Sequence, residues 1–157
     1  MRILVMYDSK TGHTEKMAQA VAKGAGSFGA KVSLERAENV KPQEFLDADG
    51  IIIGSPTYFG QMSSKTKHAI DDSIQLHTRL TGKVGAAFTN SGGTGSGAET
   101  TLISIIQAML IHGMIVKGNA ETQHYGVAVQ GEPKARDLKA CEELGESVAE
   151  LVNQLKK

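Results

Sequence analysis

The segment Ser9–Thr14 is rich in hydroxyl side chains and contains one glycine. It lies between an apolar run that ends at Tyr7 and a stretch of helical periodicity that begins after Thr14. A strand–loop–helix turn of this kind aims backbone N–H groups and the positive end of a helix at one point, which suits a phosphate. An ordinary turn, with Thr14 capping the helix, is the alternative. The candidate phosphate-binding residues are Ser9, Lys10, Thr11, Gly12, His13 and Thr14.

Two more loops of unusual composition follow predicted strands. The first carries two adjacent aromatic residues in a chain that is only 4% aromatic. A flat ligand ring would cover them; alternatively Phe59 packs in the core while Tyr58 lies on the surface. The second loop is rich in glycine and could wrap a ligand edge with main-chain groups, or could be a flexible linker. The candidate residues in these loops are Pro56, Thr57, Tyr58, Phe59, Gly60, Asn90, Ser91, Gly92, Gly93, Thr94 and Gly95.

Strand and helix patterns alternate along the chain. This order predicts an α/β, three-layer, doubly wound domain over residues 1–157, with a five-stranded parallel sheet in the order 2-1-3-4-5 and helices on both faces. Ligands in such folds bind at the carboxyl ends of the strands, where all three loops lie. The inward face of the fourth helix is predicted to carry Leu102, Ile105, Ile106, Met109 and Leu110. Predicted strands cover 3–7, 31–36, 51–54, 83–89 and 114–116; predicted helices start at 14, 42, 64, 97 and 135, and 118–134 is predicted to be irregular.

Two other phosphate motifs are excluded. The chain has no G-x-x-x-x-G-K-S/T sequence, so a Walker-type site is not expected. A G-x-G-x-x-G pattern occurs at Gly24, Gly26 and Gly29, but it follows a helix and precedes a strand, the reverse of the order that a dinucleotide site needs. We interpret it as the end of a helix and a turn.

Composition narrows the function classes. The chain has 157 residues, with 17 basic and 17 acidic side chains, so the basic excess typical of nucleic-acid binding is absent. The longest apolar stretch is too short and too polar to span a bilayer. The single cysteine, Cys141, has no metal-ligand spacing around it, so we predict no metal site. Cys141 is expected to be a half-buried or solvated helix residue in a protein of the reducing cytoplasm.

The chain resembles the flavodoxin family over essentially its whole length. The pattern S-x-T-G-x-T after the first strand is similar to the flavodoxin phosphate loop. SPTYFGQM, GKVGAAFTNSGGTGSGAET and LIHGM resemble the tryptophan-repressor-binding-protein (WrbA) type of NAD(P)H:quinone oxidoreductase. The resemblance implies FMN, with its ring between Pro56–Gly60 and Asn90–Gly95 and its phosphate on Ser9–Thr14. It also implies NAD(P)H as electron donor, a quinone or similar small molecule as acceptor, and a homo-oligomer, either dimer or tetramer.

Some features depart from that subgroup. The segment between the second and third strands is short, and Ile111 replaces the first histidine of the LAHHGM pattern, while His112 matches the second. Thr11 makes the phosphate loop closer to simple flavodoxins. Single-electron-carrier flavodoxins, however, are typically strongly acidic, whereas this chain has no net charge. A pure electron carrier and a regulatory module with structural FMN therefore remain as alternatives to the oxidoreductase.

No side chain is assigned as a catalytic acid or base. Tyr58 or Tyr125 could cover the flavin, and main-chain N–H groups of residues 90–93 could stabilise the N1/O2 edge of reduced flavin. His112 and His124 are candidate proton donors. Asp8 stands next to the phosphate loop, where its charge is unfavourable unless its side chain turns away.

Overall fold

The computed structural model describes residues 1–156. Their strands and helices alternate as the sequence predicts, with a short 3-10 helix after the third helix. The strands are β1 Arg2–Tyr7, β2 Lys31–Arg36, β3 Gly50–Tyr58, β4 Gln61–Met62, β5 Val84–Ser91, β6 Ile115–Val116 and β7 Val127–Gln130. The helices are α1 His13–Ser27, α2 Pro42–Asp47, α3 Ser64–Asp72, α4 Ala98–Ile111 and α5 Ala135–Leu155, with the 3-10 helix at Ser73–Leu76.

The central sheet has the order β2-β1-β3-β5-β6, and β7 also pairs with β5. All of these pairings are parallel. The predicted order is confirmed, except that the fifth strand comes in two parts. Ile115 aligns with Val84 near the start of β5, and Val127 aligns with Phe88 near its end. The prediction that 118–134 is wholly irregular is therefore wrong, because β7 is too short for its alternating pattern to stand out.

Helices cover both faces of the sheet. One core packs α1 and α5 against side chains such as Val5 and Ile52, and the other packs α2, α3 and α4 against Leu4 and Ile51. Successive residues of β1 thus supply opposite cores, as expected of a strand buried on both sides. This three-layer arrangement confirms the predicted fold class.

One prediction about helices is confirmed in part and one is wrong. Helix α1 ends within the predicted glycine segment, at Ser27, and Gly29, with φ of +88°, follows its end, but Gly24 and Gly26 lie inside the helix. Leu110 does not face inward, because more than half of its surface is exposed at the end of α4.

Cys141 is fully buried in α5 against α1, and not half-buried or solvated as expected. Burial, reinforced by the charges of Asp137 and Glu142, raises the pKa of its thiol to about 12. The thiol therefore stays protonated and acts as a small apolar side chain. Within residues 1–156, no helix combines the length and the apolar character that crossing a membrane requires.

Candidate functional site

The three loops lie side by side at the carboxyl edge of the sheet. Strands β1, β3 and β5 are neighbours, and their ends are in register, with Tyr7 beside Gly54 and Pro56 beside Asn90. The Asp8 N–H extends the ladder by donating to the Gly54 carbonyl at 3.1 Å. The sequence therefore brings the predicted site residues to one place.

The phosphate loop has donors for which residues 1–156 supply no acceptor. The Gly12 N–H donates to Ser9 Oγ at 3.1 Å, so the hydroxyl proton of Ser9 remains available. Gly12, with φ of +91°, is the N-cap of α1, so the expectation that Thr14 caps this helix is wrong. Thr14 lies inside the first turn, only 2% exposed, and its hydroxyl makes no hydrogen bond to any residue of 1–156. The first N–H groups of α1 add further donors, because they have no intrahelical acceptor.

The other residues of this loop face outward. Lys10 and Thr11 are exposed, and Gly12 and His13 are half-buried. Of the three predicted hydroxyl donors, Ser9 and Thr14 are thus the buried ones and Thr11 is the solvent-facing one.

Arg36, at the end of β2, braces the phosphate loop. Its guanidinium donates to the Ser9 carbonyl at 3.2 Å and pairs with Glu15 at 3.0 Å, and it stacks over the Tyr7 ring at 5.4 Å. Glu15 also accepts a hydrogen bond from the Tyr7 hydroxyl at 2.9 Å. Burial and then the Glu15 carboxylate raise the pKa of Tyr7, against an opposing effect of Arg36. The charge of Glu15 is therefore paired close to the loop, an arrangement that sequence spacing does not reveal.

Asp8 is buried next to the phosphate loop. Lys65 of α3 pairs with Glu38 at 3.0 Å, and the pKa of Lys65 is raised first by that hydrogen bond, then by the charge of Glu38, and further by Asp8. Among residues 1–156, no salt bridge pairs the Asp8 carboxylate itself.

The aromatic loop is a β-hairpin and not an irregular segment. Strand β3 continues to Tyr58, which pairs antiparallel with Gln61. Phe59 and Gly60 form the two-residue turn with φ of +50° and +74°, the signs of a type I′ turn. Asparagine, aspartate or glycine usually fills the first turn position, and a bulky residue there costs about 1–3 kcal/mol.

Phe59 is fully exposed at the tip of this hairpin, and Tyr58 is partly exposed. The alternative that Phe59 packs in the core is therefore wrong. An aromatic side chain in a strained turn, with no cover from its own chain, indicates a surface that contacts another molecule.

Hydrogen bonds fix the base of the hairpin. The Thr89 hydroxyl donates to the Ser55 carbonyl at 2.7 Å, so the 2.9 Å bond between the Thr57 and Thr89 hydroxyls must be donated by Thr57. The Ser63 N–H donates to Ser55 Oγ at 2.8 Å. The hydroxyl proton of Thr57 is therefore used within the protein and is not available to a ligand.

The glycine-rich loop is tied to β7. Strand β5 runs to Ser91, and the Asn90 amide donates to the carbonyls of Val129 at 3.1 Å and Gly131 at 2.7 Å. The Thr94 hydroxyl donates to Gln130 at 2.9 Å. These bonds argue against a flexible linker. They also use both amide protons of Asn90, which leaves its oxygen and the main-chain groups as its means of contacting a ligand.

Sequence reasoning missed the segment after β7. Lys16 of α1 pairs with Glu132 at 2.6 Å, which, together with a smaller effect of His13, lowers the pKa of Glu132. Residues 131–132 therefore flank both the phosphate loop and the glycine-rich loop. Only the position of β7 in the sheet reveals that these residues lie beside the two loops. A polar turn in a segment without strand or helix periodicity does not indicate its location from sequence.

His112 does not lie at this site. It follows the C-terminus of α4, whose N-terminus is at the site, so the length of the helix separates the two by about 20 Å. The Ser73 hydroxyl donates to the Ile70 carbonyl at 2.6 Å, so His112 Nε2 carries the proton in its 2.8 Å bond to Ser73. Burial, and then the charge of His77, lowers the pKa of His112. As a proton donor to a ligand held by the three loops, His112 is therefore ruled out; Ile111, next to it, is equally distant.

His124 and Tyr125 lie in the connection between β6 and β7, and both are exposed. His124 Nδ1 is 2.7 Å from the Asn119 carbonyl. Nothing in the contacts of residues 1–156 brings either side chain onto the three loops.

Comparison with known proteins gives consistent matches. A family model described as Flavodoxin matches residues 5–145. A "Flavodoxin" of Aquifex aeolicus is 40% identical over 160 aligned residues, covering 96% of this chain and 86% of the relative. An "NAD(P)H dehydrogenase (quinone)" of Archaeoglobus fulgidus is 38% identical, covering 98% of each chain. The crystal structure of a WrbA-like flavodoxin from Agrobacterium tumefaciens superposes with a TM-score of 0.84 at 28% identity and covers 98% of both chains. The chain therefore belongs to the flavodoxin family, whose cofactor is FMN.

Proposed function

We propose that this chain is an FMN-dependent oxidoreductase that transfers electrons from NAD(P)H to quinone-like acceptors. The observation that carries the proposal is the meeting of unused donors and an uncovered aromatic hairpin at one edge of the sheet. Relatives named NAD(P)H dehydrogenase (quinone) match 98% of this chain at 36–38% identity, which supports the same activity.

The phosphate loop fits the phosphate of FMN. The hydroxyl protons of Ser9 and Thr14 have no acceptor among residues 1–156, and the first turn of α1 adds N–H groups and a positive dipole end. Arg36 pairs with Glu15, so the carboxylate in the first turn of α1 is neutralised. We assign to Ser9, Gly12 and Thr14 the central contacts, and to Lys10, Thr11 and His13 the solvent-facing rim.

The hairpin and the glycine-rich loop fit the edges of a flat ring. Phe59 and Tyr58 offer aromatic surface, and the backbone of residues 91–95 offers N–H groups at the facing loop. FMN held there would supply the redox chemistry, which is hydride acceptance and electron transfer to a quinone. The chain itself binds, orients and partly covers the ring, and we assign no catalytic acid or base.

An electron carrier between proteins is the second candidate, because one relative with 40% identity is named a flavodoxin. Its weakness is charge, since equal numbers of acidic and basic residues provide no acidic field for docking basic partners. We also propose a cytoplasmic location, where the single thiol stays reduced.

Mixing the FMN-loaded protein with NADH or NADPH separates these candidates. We expect the visible absorbance of oxidised FMN to bleach without any other protein and to recover when a benzoquinone is added. The matched control is the same protein incubated with the quinone alone. Bleaching only after a separate reductase protein is added would support the carrier. Failure to bind FMN at all would refute both.

We further propose that the chain self-associates through the outer face of α3 and α4. Ile74 and Ile111 are more than two-thirds exposed, next to the exposed Leu110. Ile74 and Ile111 border a groove of about 770 Å³ between the two helices. Residues 100–116, which include most of α4, contain no charged side chain. At the edge of the groove, Lys67 Nζ and Asp71 Oδ1 are 2.6 Å apart. A two-fold axis could place Lys67 of each copy opposite Asp71 of the other. With no net charge to repel it, a second copy of this chain is the occupant that we propose.

Ile111→Glu is expected to convert the oligomer to a monomer, because it buries a charge in an apolar interface. Size-exclusion chromatography with light scattering measures the mass. Leu155→Glu is the matched control: Leu155 is also exposed and aliphatic, but it lies at the end of α5. A wild-type protein that is monomeric at about 50 µM, well above the Kd of a stable dimer, would contradict the proposal.

A further inference from the structure

The hairpin and the glycine-rich loop touch at one point. A Cβ atom on Gly97 would lie 2.4 Å from the Cα atom of Gly60, and Gly97 has φ of +90°. The two backbones therefore meet at a distance that only glycine permits. This contact joins the turn that carries Phe59 to the end of the loop that faces it.

Thr100, in the first turn of α4, locks this contact. Its hydroxyl oxygen is 2.7 Å from the Gly60 carbonyl and 3.0 Å from the Gly97 carbonyl, but it has only one proton. The Gly97 carbonyl already accepts from the Thr101 N–H at 3.0 Å and from the Thr101 hydroxyl at 2.9 Å. Both of its lone pairs are thus used, so Thr100 donates to Gly60.

Thr100 does not contribute to the packing of the core. The side chain is exposed and contributes nothing to either apolar core. Its bond to Gly60 spans 40 residues of sequence and is the side-chain hydrogen bond, among those of residues 1–156, that reaches the Phe59–Gly60 turn.

We infer that Thr100 is a positioning residue, which fixes the Phe59 hairpin against α4 and so sets the width of the slot between hairpin and glycine-rich loop. This inference rests on the proposed function, because the slot is where the FMN ring would lie. Thr100 does not touch the phosphate loop, so its effect is confined to the ring.

Thr100→Val tests the inference, because valine keeps the shape and removes the donor. FMN affinity is expected to fall roughly 2- to 10-fold, the range for one lost neutral hydrogen bond. The visible circular dichroism of bound FMN should change, since it reports how the ring is held. In the protein without FMN, the amides of Gly60 to Met62 should exchange with deuterium faster. Thr100→Ser restores the donor and should restore all three properties.

Ser104→Ala is the matched control. Ser104 lies one turn further along α4 and donates to the Thr101 carbonyl at 2.8 Å, away from the hairpin. It should leave affinity, dichroism and hairpin exchange unchanged. If wild type binds FMN and Thr100→Val matches it in all three, the role of Thr100 is refuted while the proposed function stands. If wild type takes up no FMN, the proposed function fails, and the role of Thr100 with it.

Discussion

Thr14→Val is expected to weaken FMN binding roughly 10- to 100-fold, the loss typical of one hydrogen bond to a charged group. Thr14 is almost completely buried, yet its hydroxyl bonds to none of residues 1–156. The Thr14 hydroxyl oxygen is not among the fully buried polar atoms that lack a partner, so it reaches the surface of the loop, where a phosphate would bind. Valine has nearly the same shape, so the folded protein without FMN should be about as stable as wild type. The phosphate site thus predicts a loss of binding without a loss of stability.

Titrating the FMN-free protein with FMN, followed by quenching of flavin fluorescence, measures the binding change. Urea unfolding of the FMN-free protein measures the stability change. Thr66→Val is the matched control, because Thr66 is also buried in the first turn of a helix, but its hydroxyl is hydrogen-bonded to the Ser63 hydroxyl at 3.0 Å. Its loss should reduce the free energy of unfolding by about 1 kcal/mol. Unchanged FMN affinity in Thr14→Val would place the phosphate elsewhere.

The position of the site was predictable because it depends on local patterns. An apolar run followed by hydroxyls and a helix defines the end of β1, and the parallel order then places the ends of β3 and β5 beside it. Each of these inferences needs only a few neighbouring residues and the general handedness of the fold. The sequence therefore predicts that the three loops lie at the same edge of the sheet, but it does not predict the contacts between them.

The true length of β3 could not be read from the sequence. Ser55 and Pro56 resemble a loop, since proline cannot donate within a central strand. Strand β1, however, ends at Tyr7 beside Gly54, so beyond that point β3 has only β5 as a parallel neighbour. Pro56 is therefore tolerated on a side where no donor is required. Because β3 extends to Tyr58, Phe59 falls in the turn and has a positive φ. Phenylalanine is not typical of this turn position, so the sequence does not indicate the turn.

The partners of Asn90 and Thr100 were also beyond sequence reasoning. Asn90 bonds to two carbonyls about 40 positions away, one on β7 and one just after it, and the sequence pattern did not reveal this strand of four residues. The Thr100 bond to Gly60 likewise depends on how α4 packs against the hairpin. Side-chain hydrogen bonds between distant segments leave no periodic signal, so only the folded structure shows them.

The glycine pattern that resembles a dinucleotide motif has a packing role instead. A Cβ on Gly24 would lie 1.9 Å from the Glu142 carbonyl oxygen, and a Cβ on Gly145 would lie 2.1 Å from the Val21 carbonyl oxygen. Helices α1 and α5 therefore approach each other backbone to backbone at two glycines. Gly26, two residues further along α1, is exposed, and a Cβ there would meet nothing within 4 Å.

Gly24→Ala and Gly26→Ala should therefore shift stability in opposite directions. Alanine at position 24 must push the two helices apart, because its neighbour is backbone that no rotamer change can move, and we expect a loss of about 3 kcal/mol. Alanine at position 26 should add about 0.5–1 kcal/mol, since glycine is the poorer helix former. Urea unfolding of the FMN-free variants measures both changes. Equal effects of the two substitutions would mean that helix propensity, and not the close approach of α1 to α5, determines the use of glycine here. Opposite signs would show that the contact between α1 and α5, and not a phosphate site, explains the glycine at position 24 of this pattern.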